Sequence, residues 1–236
     1  MGRKLSYKLD PLLLALLPLC LGVFLGALDQ TVVVTALPSM IVDLQVPFRH
    51  LDQATWIVTG YLLGYTVAMP LVGRLSDVYG RRRLYLWCLV AFFGGSLLAA
   101  RAGDLPELVL ARVVQAAGGG GLLPVTLAIA SDIFPDRRRT LALGFTAAIA
   151  EAGGVIGPLY GAAITNALGW RWVFYINLPL APIIGVLVYR LCRESQAERE
   201  RIDFGGAATL SVALAALTLG LSQASGEQSV LPEAVG

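Results

Sequence analysis

Apolar positions in this chain do not alternate with polar ones. They run on for about twenty residues at a time and are broken by short clusters of charge. A helix at the surface of a soluble protein keeps one polar face, whereas these runs are apolar all round. A hydrocarbon core of roughly 30 Å needs about 20 such residues at 1.5 Å each. The pattern predicts about seven membrane-spanning helices, at roughly 12–40, 54–73, 84–101, 106–130, 141–165, 170–190 and 205–223. Lipid offers the backbone no hydrogen bonds, so helices are the default for such segments. Neighbouring helices can satisfy the groups left free by Pro18, Pro70, Pro124 and Pro158.

Composition agrees with this reading. The chain is 56% hydrophobic and 14% charged, too little charge to cover a soluble domain of 236 residues. The net charge of +2 is no nucleic-acid signature, because the basic residues sit in clusters between apolar runs. Cys20, Cys88 and Cys192 share no spacing, so neither a disulfide framework nor a metal site is expected. His50 falls in a loop and reads as a solvated residue rather than a ligand. The first apolar run is too long for a secretory signal, and no small-residue cleavage site follows it. Nothing pairs a nucleophile with a base or cradles a phosphate, so the chain reads as no enzyme and calls for no cofactor. The glycine run Gly118 to Gly121 lies inside a span and reads as close helix packing.

The basic residues set the topology. Alternate connections carry Arg3, Lys4 and Lys8, then Arg74, Arg81, Arg82 and Arg83, then Arg137, Arg138 and Arg139, then Arg190, Arg193, Arg199 and Arg201. The opposite connections carry Arg49, Arg101 and Arg171. The positive-inside bias therefore places the N-terminus in the cytoplasm and, after seven spans, the C-terminus outside. A charged cytoplasmic linker over 193–204 separates a six-helix unit, 1–192, from a seventh helix at 205–223 and an extracytoplasmic tail at 224–236.

Asp29, Arg112 and Glu151 are ionisable residues within the spans. Each costs on the order of 3 kcal/mol at the bilayer centre, so such residues face a cavity or one another. At 1.5 Å per residue, Asp29 lies roughly 13 Å and Arg112 roughly 9 Å from the outer ends of their helices, and Glu151 roughly 15 Å from the inner end of its own. Asp29 shares a helix face with Gly22 and Gly26, a surface that should pack tightly, so a structural ion pair with Arg112 is one reading. Glu151 points away from the row Gly153, Gly157 and Gly161, whose spacing suits contact with a neighbouring helix. Facing a cavity, its carboxyl would have the charged form disfavoured by desolvation and would suit proton or substrate binding.

Several strings resemble the major facilitator superfamily, and within it the fourteen-helix drug:proton antiporters. GRLSDVYGRRR, from Gly73 to Arg83, resembles the signature loop between helices two and three. There the resemblance implies that Asp77, Arg81 and Arg82 latch the cytoplasmic side, while Gly73 and Gly80 allow close packing and a tight turn. ARVVQAAGGGG resembles R-x-x-Q-G-x-G at Arg112 and Gln115, with Ala116 where glycine is usual. GGVIGPLYGA resembles the antiporter motif of helix five at Gly153, Gly157, Pro158 and Gly161, with Ala162 in place of the last glycine. LDQTVVVTALP resembles the helix-one motif that contains Asp29, and WRWVFYINLP, from Trp170 to Pro179, is similar to a string of the same group. WIVTGYLLGYTVAMPLVGRLSD together with Glu151 also resembles the mycobacterial triacylglyceride exporters of the superfamily.

The fold implied is all-α: a six-helix bundle of two inverted three-helix repeats plus one linker helix. Helices one and four are equivalent in that scheme, so Asp29 and Arg112 would face one central cavity. The function implied is proton-coupled export of hydrophobic drugs or lipophilic compounds across the plasma membrane, with Asp29, Glu151 and Arg112 carrying the coupling. An alternative is a lipid exporter working with a periplasmic lipid carrier, and a second alternative is a non-transporting half-transporter or scaffold. Expected partners are the substrate, protons, membrane lipids and a C-terminal half. That half would come from the continuation of a longer protein, from a separate chain, or from a homodimer.

Overall fold

In a computed structural model, residues 11–47, 51–194 and 204–228 are described, and helix is the only regular structure among them. The helices are α1 (Pro11–Asp43), α2 (Leu51–Ala54), α3 (Trp56–Tyr79), α4 (Arg81–Arg101), α5 (Leu105–Ile133), α6 (Asp136–Leu168), α7 (Arg171–Tyr175), α8 (Asn177–Leu191) and α9 (Phe204–Gln228). Short α2 runs into α3 and short α7 into α8. Counted that way, 6 segments among the described residues are long and apolar enough to cross a membrane. Helix α9 covers the expected seventh span and lies against α3. The expected linker falls mostly on 195–203, and Arg3, Lys4, Lys8, Arg49, His50, Arg199, Arg201 and the tail beyond 228 also lie outside the described residues.

The helices run past the apolar boundaries. The string expected as a loop after 73 is helical to Tyr79, and the connection to α4 is Gly80 alone, at φ 95°. Only glycine takes that conformation without strain. Hydropathy reports where lipid ends, while the helix continues until a residue breaks it. Helix α5 starts on a variant of the capping box: the N-cap Asp104 Oδ1 accepts the Glu107 N–H at 2.8 Å, and Glu107 Oε2 accepts the N–H of Gly103, the residue before the cap, at 2.9 Å. Sequence patterning missed this because the box sits outside the apolar run.

Glycines let the backbones approach. Helix α5 is central, against both α3 and α4. A Cβ at Gly120 would stand 2.5 Å from the Tyr65 carbonyl of α3, and one at Gly118 would strike Cys88 and Phe92 backbone of α4. On α6, a Cβ at Gly153 would lie 2.7 Å from the Phe24 carbonyl and one at Gly161 2.6 Å from the Val32 carbonyl. The small-residue row of the fifth span therefore seats α6 directly on α1.

Apolar packing forms two main clusters. One gathers Leu19, Val23, Tyr85, Phe92, Leu122, Ile129, Ile184 and Val188 towards the arginine-rich end of the bundle. The other gathers Val32, Met40, Ile57, Ala99, Leu108 and Phe174 towards the opposite end. On α4, α5 and α7–α8 the polar residues described next fall between the two, and on α1 Asp29 follows Leu28, the first buried residue of the second cluster on that helix.

Candidate functional site

Asp29 on α1, Ser96 on α4, Arg112 and Gln115 on α5 and Asn177 at the start of α8 form one buried polar layer, each at most 2% exposed. Arg112 Nη1 donates to Asp29 Oδ2 at 2.6 Å and to Gln115 Oε1 at 2.7 Å, and Nη2 donates to the Asp29 carbonyl at 3.3 Å. Gln115 Nε2 donates to Asp29 Oδ1 at 2.9 Å and to Ser96 Oγ at 2.7 Å. Asn177 Nδ2 donates to the same carboxylate oxygen at 3.0 Å. The Arg112 guanidinium also lies 3.9 Å over the Tyr61 ring and 5.7 Å from that of Phe174. A buried pair is favourable only when its remaining lone pairs and protons find partners. Here α1, α4, α5 and α8 supply them, except at Arg112 Nε, which is buried without an acceptor among the described residues.

The structure thus brings Asp29 and Arg112 together, but encloses them between helices rather than on an open cavity wall. The face that carries Asp29 packs as its glycines suggested, with a Cβ at Gly26 falling 3.5 Å from the Gly119 carbonyl. Glu151 is not part of this layer. It is exposed on α6, opposite the row that packs on α1, and makes no ion pair or hydrogen bond among the described residues. Gly144 and Gly154, at helical spacing from it, have nothing within 4 Å of a would-be Cβ. An open cavity of about 600 Å³ lies between α5 and α6, lined by Leu127, Ala128 and Ser131 and by Thr140, Gly144 and Ala147. Glu151 stands about one turn beyond Ala147, the last α6 residue that lines the cavity, and is not itself among its lining residues.

At the arginine-rich end, Arg81 bonds Asp77 at 3.0 Å, donates to the Ala128 carbonyl at 2.7 Å and pairs with Asp132. Arg82 reaches the other way. Its guanidinium donates to the Cys192 carbonyl at 3.1 Å, and its backbone N–H donates to Glu194 Oε1 at 3.1 Å. Arg82 thus caps the end of α8 while Glu194 caps the start of α4, whose preceding residue Gly80 has no side chain to do so. A Cβ at Gly80 would stand 2.7 Å from Glu194 Oε1, so the same glycine makes the turn and admits the cap. Gly73 is less constrained, with Pro124 at 3.8 Å from a would-be Cβ. At the opposite end Asp43 accepts from Trp170 Nε1 at 3.2 Å and pairs with Arg171, whose Nη2 donates to the Ala102 carbonyl at 3.2 Å.

Reading charges in the spans found Asp29, Arg112 and Glu151 and missed Ser96 and Asn177. An uncharged polar residue in an apolar run carries no insertion penalty large enough to mark it. Glu194 and Asp43 were missed because they sit at span ends, where charge is ordinary.

A family model described as Major Facilitator Superfamily matches residues 19–230. Multidrug resistance protein 3 of Bacillus subtilis is 38% identical over 206 residues, covering 87% of this chain and 40% of that protein. A triacylglyceride transporter of Mycobacteroides abscessus is 42% identical over 216 residues, 90% of this chain and 42% of that protein. The chain therefore spans about two fifths of these curated relatives. Among solved structures, the xylose transporter XylE of E. coli in an inward-open conformation superposes with TM-score 0.69 at 18% identity, over 94% of this chain and 57% of that one. The human organic anion transporter MFSD10 gives 0.65 at 19% identity, over 88% and 55%. At such identity the likeness is one of fold.

Proposed function

This chain belongs to the Major Facilitator Superfamily, and we propose that it forms the amino-terminal half of a proton-coupled exporter of hydrophobic compounds in the plasma membrane. Its N-terminus is cytoplasmic, residues 1–192 are the six-helix half, 193–204 is the linker, and α9, whose first residue Phe204 closes that linker, is the helix it leads into. A multi-pass membrane protein of this superfamily, whose relatives are named for multidrug resistance and triacylglyceride transport, is the setting. The observation that carries the reading is the separation of two membrane carboxylates. Asp29 is enclosed and held by three side-chain donors, while Glu151 is exposed and unpartnered among the described residues.

Glu151 takes and releases a proton or a polar group of the cargo beside the α5–α6 cavity. Asp29 becomes available only when its bonds to Arg112, Gln115 and Asn177 loosen, so the buried pair serves as the switch between two packings of α1 against α5. One charge crossing 100 mV contributes about 2.3 kcal/mol, enough to drive such an exchange. Arg81 and Arg82 with Asp77 close the cytoplasmic end in one of those packings, and the row Gly153, Gly157, Pro158 and Gly161 supports export. The second half comes from the same polypeptide or from a separate chain, as the coverage of relatives suggests.

A lipid cargo is the second reading, with a periplasmic lipid carrier as acceptor. Besides the triacylglyceride transporter relatives, an apolar groove of about 500 Å³ favours it, lined by Leu13, Leu16, Leu17, Phe134, Leu141 and Phe145 with Arg138 among them. An export assay in vesicles, comparing ethidium with a dye-labelled triacylglycerol, separates the two. Ethidium movement supports the drug reading, and triacylglycerol movement alone supports the lipid reading. Movement of neither by the complete protein would leave the scaffold reading standing.

A further inference from the structure

We propose that Asn177, with Ser96, is a positioning residue that holds Asp29 against Arg112 and ties the state of that pair to the sixth span. The inference deepens the coupling role given above to Asp29 and rests on it.

Both amide nitrogens of the layer are fully used. Gln115 Nε2 reaches Asp29 Oδ1 at 2.9 Å and Ser96 Oγ at 2.7 Å, while Asn177 Nδ2 reaches the same two atoms at 3.0 Å and 3.4 Å. An amide NH2 has two hydrogens, so each nitrogen gives one to the carboxylate and one to the hydroxyl. The result is a closed ring of Asp29 Oδ1, Gln115, Ser96 Oγ and Asn177. With Arg112 on the other oxygen at 2.6 Å, the Asp29 carboxyl accepts from three donors at once. Only the ionised form is acceptor-only. A proton placed on Asp29 turns one of the carboxyl's roughly four acceptor sites into a donor and removes the charge that strengthens the other bonds. The least firmly held of the three donors is therefore the first to be released.

Topology decides which one is expelled. Arg112 and Gln115 sit three residues apart on α5 and already bond each other at 2.7 Å, so each keeps a partner when Asp29 lets go. Asn177 keeps only the longer bond to Ser96. It is also the first residue of α8, which continues from α7 through Ile176 at helical angles, φ −64° and ψ −30°. At its other end α8 is tied to α4 by Arg82 and Glu194. Release at Asn177 is thus passed to a helix of 15 residues, with Pro182 inside it, that is joined to the cytoplasmic latch through Arg82. The other charged or titratable groups facing Asp29 are Arg112 on α5, Tyr61 on α3 and Tyr160 on α6.

The test uses the complete transporter, reconstituted in liposomes with ethidium or a dye-labelled triacylglycerol, whichever wild type moves. Downhill movement and accumulation driven by an imposed proton gradient are measured for Asn177→Ala, Ser96→Ala and Asp29→Asn. A hydrogen bond to a charged group is strong enough for an effect of about tenfold, so driven accumulation by Asn177→Ala should fall at least about fivefold further than downhill movement. In the Asp29→Asn background, Asn177→Ala should add no further loss. Equal losses in both modes, wild-type driven accumulation, or additive losses in the double variant would each overturn the proposal. If Asn177→Ala does not fold, Ser96→Ala and Asn177→Ser give the same readouts. Normal driven accumulation by Asp29→Asn itself would instead remove the coupling role on which the inference rests.

Discussion

Arg112 and Asp29, 83 residues apart in sequence, meet at 2.6 Å with both side chains about 1% exposed. Removing one partner of such a pair strands a charge in a low-dielectric interior, at a cost of about 3–5 kcal/mol. Arg112→Met or Asp29→Leu alone should therefore lower the melting temperature in detergent sharply. The double variant should recover much of that loss, because neither charge is then stranded. Additive losses would show that the pair does not stabilise the bundle as a unit.

The α1–α6 contact should be intolerant of bulk. Gly157 faces the Thr31 side chain and the Leu28 carbonyl, the latter 2.9 Å from a would-be Cβ. Overpacking typically costs about 1–3 kcal/mol, and here the obstacle is partly backbone. Gly157→Val should reduce the yield of monodisperse protein on size-exclusion chromatography, whereas Gly154→Ala, with open space around it, should not.

The reciprocal cap can be tested by neutralising Glu194 and by adding a side chain at Gly80. Arg82 and Glu194 are about a quarter exposed, at 24% and 26%, so the ion pair itself contributes no more than about 1 kcal/mol. Glu194→Gln should lower thermal stability slightly. Gly80→Ala should cost more, about 1–2 kcal/mol for the left-handed backbone together with displacement of the Glu194 carboxylate. A melting series that ranks Glu194→Gln as the more damaging would contradict this arrangement.

Cys192 offers a labelling test. Its Sγ donates to the Ala15 carbonyl at 3.5 Å, and burial pushes the thiol up to about 11. The reactive thiolate is therefore scarce at neutral pH and grows only as pH rises towards that value. A single-cysteine variant retaining Cys192 should label slowly with maleimide at pH 7 when folded and quickly once unfolded in detergent. Fast labelling of the folded protein would mean that the end of α8 is open.

Much of the bundle was legible because the requirements of lipid are severe. The spans followed from apolar length, and the ion pair from two charges that could not stand alone in an apolar run. The glycine row of α6 showed its partner face by spacing. Span ends were less legible: residues 74–79 carry charge yet remain helical, because only Gly80 breaks the chain there. Asn177 and Glu194 were invisible for a different reason. Each acts through partners distant in sequence, Asp29 in one case and the start of α4 in the other. No local pattern announces such a pairing.

The most direct test is gradient-driven cargo accumulation by Glu151→Gln in the complete, reconstituted transporter, with membrane insertion checked in parallel. With Glu151 as the exposed coupling carboxylate, accumulation should fall at least about tenfold while insertion stays normal, the scale expected for loss of a proton-transfer group. Accumulation equal to wild type would contradict proton coupling through this residue.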